Sequence, residues 1–175
     1  MKKMDIHIVG LGNLGSAFLK GLEDLQENTD IYLYEGSKDV RQSIQENYSL
    51  TPKESLNVIS DGVLILCIKP QNINEFFDTY KDKIARDVLI CTPIAGLEIK
   101  TIEKYFENNV LRIMPNLLIQ DKTGFIPFTS NYEGDYLNFI HNILENLGTV
   151  KEVDESMFAI ITALSGSGPA WFYEL

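Results

Sequence analysis

The sequence predicts an α/β fold, a doubly wound and mostly parallel sheet with helices on both faces. Three observations predict it. Short apolar runs alternate with helix-spaced segments five times between Ile6 and Met114, the pattern of strands joined by crossover helices. Two of those runs, residues 63–68 and 88–91, are apolar without interruption, as strands covered on both faces must be. The first strand and helix are joined by a turn with glycine in three fixed places, Gly10, Gly12 and Gly15.

Taken in order, Ile6, Ile8 and Val9 make a β-branched run that ends in glycine and reads as a buried strand. Leu14, Phe18, Leu22 and Leu25 recur at helical spacing, so a helix follows directly. Between them lies the pattern G-x-G-x-x-G, Gly10-Leu11-Gly12-Asn13-Leu14-Gly15. Gly10 permits the tight turn, Gly12 lets backbone approach a pyrophosphate, and Gly15 lets the helix lie on the strand. The free N–H groups and partial positive charge of the helix N-terminus favour that pyrophosphate. A second strand, 31–34, runs into Glu35, twenty residues past Gly15. An acidic side chain there typically accepts hydrogen bonds from an adenosine ribose. The stretch predicts nucleotide binding of Rossmann type.

Residues 37–48 are polar and helix-compatible, with Ser37 as N-cap and Val40 and Ile44 on one face. Residues 51–54 read as a cap followed by Pro52 at a first helical position. The apolar strand 63–68 ends at Lys69-Pro70, and Ile73, Phe76, Phe77 and Tyr80 mark the next helix. Strand 88–91 closes in the turn 92–96; Ile99, Ile102 and Phe106 mark another helix, and 110–114 another strand. From Thr123 the pattern shifts. Residues 123–129 read as a strand, and Leu137, Ile140, Leu144 and Leu147 as a helix stopped by Gly148. A short strand is expected at 150–153. A helix from 154 to 164 then follows, with Met157, Ile160, Ile161 and Leu164 on its face. Residues 165–168 form a small-residue hinge, and an apolar helix starts at Pro169 with Trp171, Phe172 and Leu175.

The 175 residues favour one domain, or one domain and a fragment of another. Fifteen basic against twenty-five acidic residues give a net charge of −10, which disfavours nucleic acid as a partner. No apolar run reaches the length of a membrane span. The N-terminus lacks the apolar segment and cleavage site of a signal peptide, so no membrane association and a cytoplasmic location are expected. Cys67 and Cys91 end neighbouring apolar runs and read as buried, reduced, structural thiols; no spacing points to a metal. His7 alternates with Ile6 and Ile8 and takes the strand's other face, and His141 lies on an amphipathic helix. Neither histidine shows a local carboxylate partner in the sequence, and neither is read as a site residue.

The segments 9–15, Ile68-Lys69-Pro70, Leu111-Arg112-Ile113-Met114-Pro115-Asn116 and Leu164-Ser165-Gly166-Ser167-Gly168-Pro169-Ala170-Trp171 occur in that order. On these motifs the chain resembles the pyrroline-5-carboxylate reductases over essentially its whole length. The resemblance implies reduction of the C=N bond of a cyclic imino acid, a small-molecule substrate, to L-proline by hydride transfer from NADH or NADPH. It divides the chain into a dinucleotide-binding domain, 1–164, and the hinge and first turns of an all-helical dimerisation domain, 165–175. A homo-oligomer is expected of the full-length family. The family's substrate loop lies beyond Leu175, so no catalytic residue is assigned and the chain alone is expected to be inactive.

In that picture Gly10, Leu11, Gly12, Asn13, Leu14 and Gly15 hold the pyrophosphate, and Glu35, Ser37 and Lys38 face the adenosine ribose. Lys69 and Pro70 sit over the cleft, and Thr92, Ala95, Pro115 and Asn116 close the nicotinamide end. Arg112 is read as pairing with a carboxylate. Glu35 repels a 2′-phosphate and gives a slight lean to NADH, while Ser37 and Lys38 could bind that phosphate. Family members usually follow Met-Pro-Asn with Thr-Pro; here Leu117-Leu118 follows, removing a hydroxyl and a rigid turn. Two other readings stand beside this one, a reductase of the hydroxyacid dehydrogenase type and a non-catalytic nucleotide-binding fragment.

Overall fold

Strands β3 (Val63–Leu66), β4 (Leu89–Thr92) and β5 (Val110–Ile113) are buried at every position, because helices cover both faces of the sheet they share. The computed structural model describes residues 4–23, 29–48 and 50–166. Ahead of these strands come β1 (Met4–Val9), helix α1 (Asn13–Gly21), β2 (Thr29–Tyr34) and α2 (Lys38–Tyr48). Helices α3 (Ile73–Tyr80) and α4 (Ile99–Ile102) connect the central strands. After β5 come β6 (Gly124–Ser130), α5 (Asp135–Glu145), β7 (Gly148–Glu152) and α6 (Phe158–Ile161).

The sheet order is β2-β1-β3-β4-β5-β6-β7. The first five strands in sequence are mutually parallel, β6 runs antiparallel to β5, and β7 parallel to β6. The predicted class is therefore observed. From β1 the chain moves outward to β2 and then crosses back to β3. That reversal opens a crevice between the carboxyl ends of β1 and β3, where such sheets bind ligands.

Side-chain alternation splits the core into two layers. Ile6, Ile8, Ile65, Leu111 and Ile113 face α1 and α5, meeting Phe18, Leu22, Ile140 and Leu144. Leu64, Leu66, Ile90 and Val110 face α3 and α4, meeting Phe76, Phe77 and Ile102. Helix α2 contributes Ile44 to the first layer, with Val40 beside it, on the predicted face.

Several expectations are corrected. Residues 51–54 do not begin a helix. Strand β2 would otherwise leave backbone groups unpaired at the sheet edge, and Lys53 pairs with Tyr34 instead. The Lys53 amide donates to Leu33 O at 2.8 Å, and the Glu35 amide donates to Lys53 O at 2.9 Å. Pro52 also holds the residue before it extended. Helix α4 covers only Ile99 and Ile102, and the chain turns to bring Phe106 edge-on to Phe77 at 5.0 Å. Gly148 does not terminate α5; it opens β7 two residues earlier than expected, and an added Cβ there would meet Gly124 O at 2.0 Å. The helix expected at 154–164 is a 3-10 turn, α6 and a wider turn at Thr162–Gly166. There the Thr162 hydroxyl donates to Phe158 O at 2.7 Å, a local bond that loosens regular helix. Leu25 and the segment 167–175, with Trp171, lie outside the described residues.

Cys91 is buried and Cys67 partly so, both are free, and burial raises both thiol pKa values. His141 has a carboxylate neighbour after all, Glu145 at 3.7 Å one helical turn on. His7 lies on the face opposite Ile6 and Ile8, 6% exposed, its ring stacked on Tyr32 and its Nδ1 3.2 Å from the Tyr34 hydroxyl.

Two predictions follow from this packing. A Cβ on Gly15 would stand 2.0 Å from Gly10 O and 3.4 Å from Cys67 Cβ. Gly15→Ala is expected to cost more than about 3 kcal/mol, read as loss of the cooperative thermal transition. Burial pushes the His7 pKa down to about 4. The unfolded chain, titrating near 6.5, then binds more protons than the folded one between those values, so stability is full above pH 6.5 and falls as pH drops toward 4. Urea unfolding at pH 7.5 and 5.5 should differ by about 1 kcal/mol from this group, a difference that His7→Gln removes.

Candidate functional site

Where β1 ends, Gly10 turns the chain at φ +88°, and its amide donates to Tyr34 O at 2.9 Å. No other residue type fits comfortably, since a Cβ would sit 2.7 Å from Cys67 O. Gly12 differs. Its backbone conformation suits any residue, yet an added Cβ meets no atom within 4 Å. Gly12 and Asn13 are exposed, and no side chain caps the first turn of α1. The helix thus presents uncapped N–H groups over open space at the switch point, a cradle that fits an anionic group such as a pyrophosphate.

Glu35 joins this turn to the loop after β2. Its Oε2 accepts from the Leu11 amide at 2.7 Å, and its Oε1 accepts from the Ser37 amide at 2.8 Å. Each oxygen keeps a further lone pair, so the carboxylate can still accept from hydroxyl groups. A cavity of about 490 Å³ lies beside it, walled by Gly10, Glu35, Gly36 and Ser37, by Glu54 and Leu56, and by one edge of α3 through Glu75, Phe76 and Thr79. The structure therefore brings Gly10, Glu35 and Ser37 together at one cavity. Lys38 lies exposed on α2 and does not line it.

The remaining predicted residues are distributed differently. Lys69 is exposed, preceding a 3-10 turn, Pro70–Asn72, with Pro70 at its first position. Thr92 is fully buried, its Oγ1 accepting from the Ile94 amide at 3.3 Å. Ala95 is exposed, Pro115 buried. The Asn116 Oδ1 accepts from the Phe125 amide at 3.3 Å, tying the turn to β6. Leu117 and Leu118 stand about half exposed in the turn that follows. Arg112 pairs with a carboxylate: Nη1 lies 2.8 Å from Glu155, and the guanidinium covers the Phe158 ring at 4.4 Å. Among the described residues no cluster of His, Cys, Asp or Glu could hold a metal ion, and no helix is long and apolar enough to cross a membrane.

Sequence reading missed Glu54 and the α3 wall. Glu54 was hidden by the helix expected at 51–54. Asn72, Glu75, Phe76 and Thr79 carry a readable signal, one helical edge beginning directly after β3.

Residues 5–95, just over half the chain, match the family described as NADP oxidoreductase coenzyme F420-dependent. A pyrroline-5-carboxylate reductase of Staphylococcus aureus is 30% identical, the alignment covering 98% of this chain and 67% of that protein. The chain belongs to that oxidoreductase family and to the pyrroline-5-carboxylate reductase family. Pyrroline-5-carboxylate reductase 2 of Bacillus subtilis is 32% identical over 99% of the chain, and the chain spans 64% of that relative's length. In fold, it matches the structure of a pyrroline-5-carboxylate reductase from Coxiella burnetii with a TM-score of 0.87, at 24% identity, covering 98% of this chain and 67% of that one. The Plasmodium falciparum pyrroline carboxylate reductase with NADP bound matches with a TM-score of 0.76, at 24% identity and with 97% and 64% covered.

The contrast between two glycines makes a prediction. Gly12→Ala should cost no more than about 1 kcal/mol of stability at this N-cap position, yet weaken binding of a reduced nicotinamide dinucleotide more than about tenfold, measured by fluorescence titration beside thermal unfolding.

Proposed function

We propose that a protein carrying this chain reduces 1-pyrroline-5-carboxylate to L-proline, the chain supplying the half that holds a reduced nicotinamide dinucleotide. The observation that carries this reading is the Glu35 carboxylate. It bridges the glycine turn and the β2 loop at the sheet's switch point, in a chain 32% identical to a pyrroline-5-carboxylate reductase. The dinucleotide-binding domain is read as 1–164, with 165–175 beginning a helical domain.

The uncapped start of α1 at Gly12, Asn13 and Leu14 takes the pyrophosphate. Glu35 and Ser37 take the adenosine ribose. Lys69, Pro70, Thr92, Ala95, Pro115 and Asn116 surround the nicotinamide end, where Thr92 Oγ1 and Asn116 Oδ1 also shape turns by accepting from the amides of Ile94 and Phe125. When bound, a reduced nicotinamide supplies the hydride. A protonated C=N carbon is already electrophilic, so the protein's task is to hold donor and acceptor roughly 3–3.5 Å apart and exclude water.

NADH is the preferred form, because Glu35, Glu54 and Glu75 all line the ribose cavity and a 2′-phosphate would meet their charge. Glu35→Ser should move the ratio of NADH to NADPH affinity toward NADPH, and an unchanged ratio contradicts the assignment. Oxidation of NADH by the cyclic imine with formation of proline, assayed in the full-length protein, supports the reaction. Oxidation by 2-oxo acids and not by the imine overturns it.

A further inference from the structure

The loop between β2 and α2 is held from two sides. On one side the Ser37 amide, with that of Leu11, donates to the Glu35 carboxylate. On the other its carbonyls face a cation. Arg41 Nη1 donates to Glu35 O and to Gly36 O, both at 2.7 Å, and Nη2 lies 3.4 Å from Glu54 Oε2. The Arg41 amide also donates to Ser37 O at 3.0 Å. The arginine side chain is only 20% exposed.

We propose that Arg41 is a positioning residue that sets cofactor selectivity, holding the ribose loop in the shape that turns the Glu35 carboxylate toward a ribose. The proposal rests on the reading of this cleft as a dinucleotide site. A 2′-phosphate is best met by a guanidinium and free backbone amides. In this loop the Ser37 amide is taken by Glu35, and the Arg41 guanidinium by two carbonyls and Glu54. A ribose diol needs the opposite, an acceptor, and Glu35 retains lone pairs for it. Arg41 acts through Glu35: it fixes the peptide that carries the carboxylate.

The test is a double-substitution cycle read as affinities for NADH and for NADPH, with thermal unfolding alongside. Arg41→Ala should weaken NADH about tenfold, the effect of losing charged hydrogen bonds, and change NADPH less than about threefold. Arg41→Lys, which keeps the charge and part of the reach, should restore part of the NADH affinity. In Glu35→Ser, adding Arg41→Ala should cost little more, because the residue it positions is gone. Equal weakening of both nucleotides, or fully additive losses, would show that Arg41 merely stabilises the loop and overturns the proposal. Should Arg41→Ala fail to fold, the Arg41→Lys ratio decides alone: a ratio identical to wild type, with lowered stability, overturns it. Failure of the wild-type chain to bind either nucleotide brings down the dinucleotide reading itself, and this inference with it.

Discussion

The close approach of α1 to the seam between β1 and β3 is the contact on which the rest of the molecule depends. Gly15 lies so near the Gly10 carbonyl that a single methyl group would occupy the same space, with Cys67 in contact beyond it. That approach points the start of α1 at the place where the sheet reverses its order. It also sets Phe18 and Leu22 down onto the sheet, in one layer with Ile6, Ile8 and Ile65. Site and core are thus built by one van der Waals constraint, and a change that loosens it disturbs both.

Charge organises the second half of the cleft. The chain as a whole is acidic, but around the loop between β2 and α2 the acids are placed rather than scattered. Glu35 spends its charge on two amides of different loops, and Arg41 spends its own on two carbonyls and Glu54. Partly buried charges with such partners hold backbone more firmly than exposed pairs do. The exposed pair Arg86–Glu107, with both side chains more than three-quarters exposed, has no comparable role.

The fold was legible because its strands are short apolar runs and its helices follow the 3.6-residue period. The glycine turn was legible because each glycine answers a distinct steric demand. What escaped was decided by distant backbone. Residues 51–54 look like a helix start, yet the unpaired edge of β2 draws Lys53 into a bridge. Gly148 looks like a helix stop, yet its place is set by contact with Gly124, far away in sequence. At the site, Gly10, Glu35 and Ser37 line one cavity. Arg41 had no sequence signal, because the carbonyls it binds are backbone groups that any residues would supply. Thr92 and Asn116 are read as closing the nicotinamide end; the structure adds what the sequence could not show, that Thr92 Oγ1 and Asn116 Oδ1 accept from the amides of Ile94 and Phe125.

The most direct measurement is an amide chemical-shift map of the labelled chain titrated with NADH. The largest perturbations are expected at Leu11, Gly12, Asn13 and Leu14 and at Gly36 and Ser37, with a smaller set along α3 at Glu75 and Thr79. Perturbations concentrated instead at the cavity between β6 and α5, around Tyr132 and His141, would contradict the dinucleotide reading.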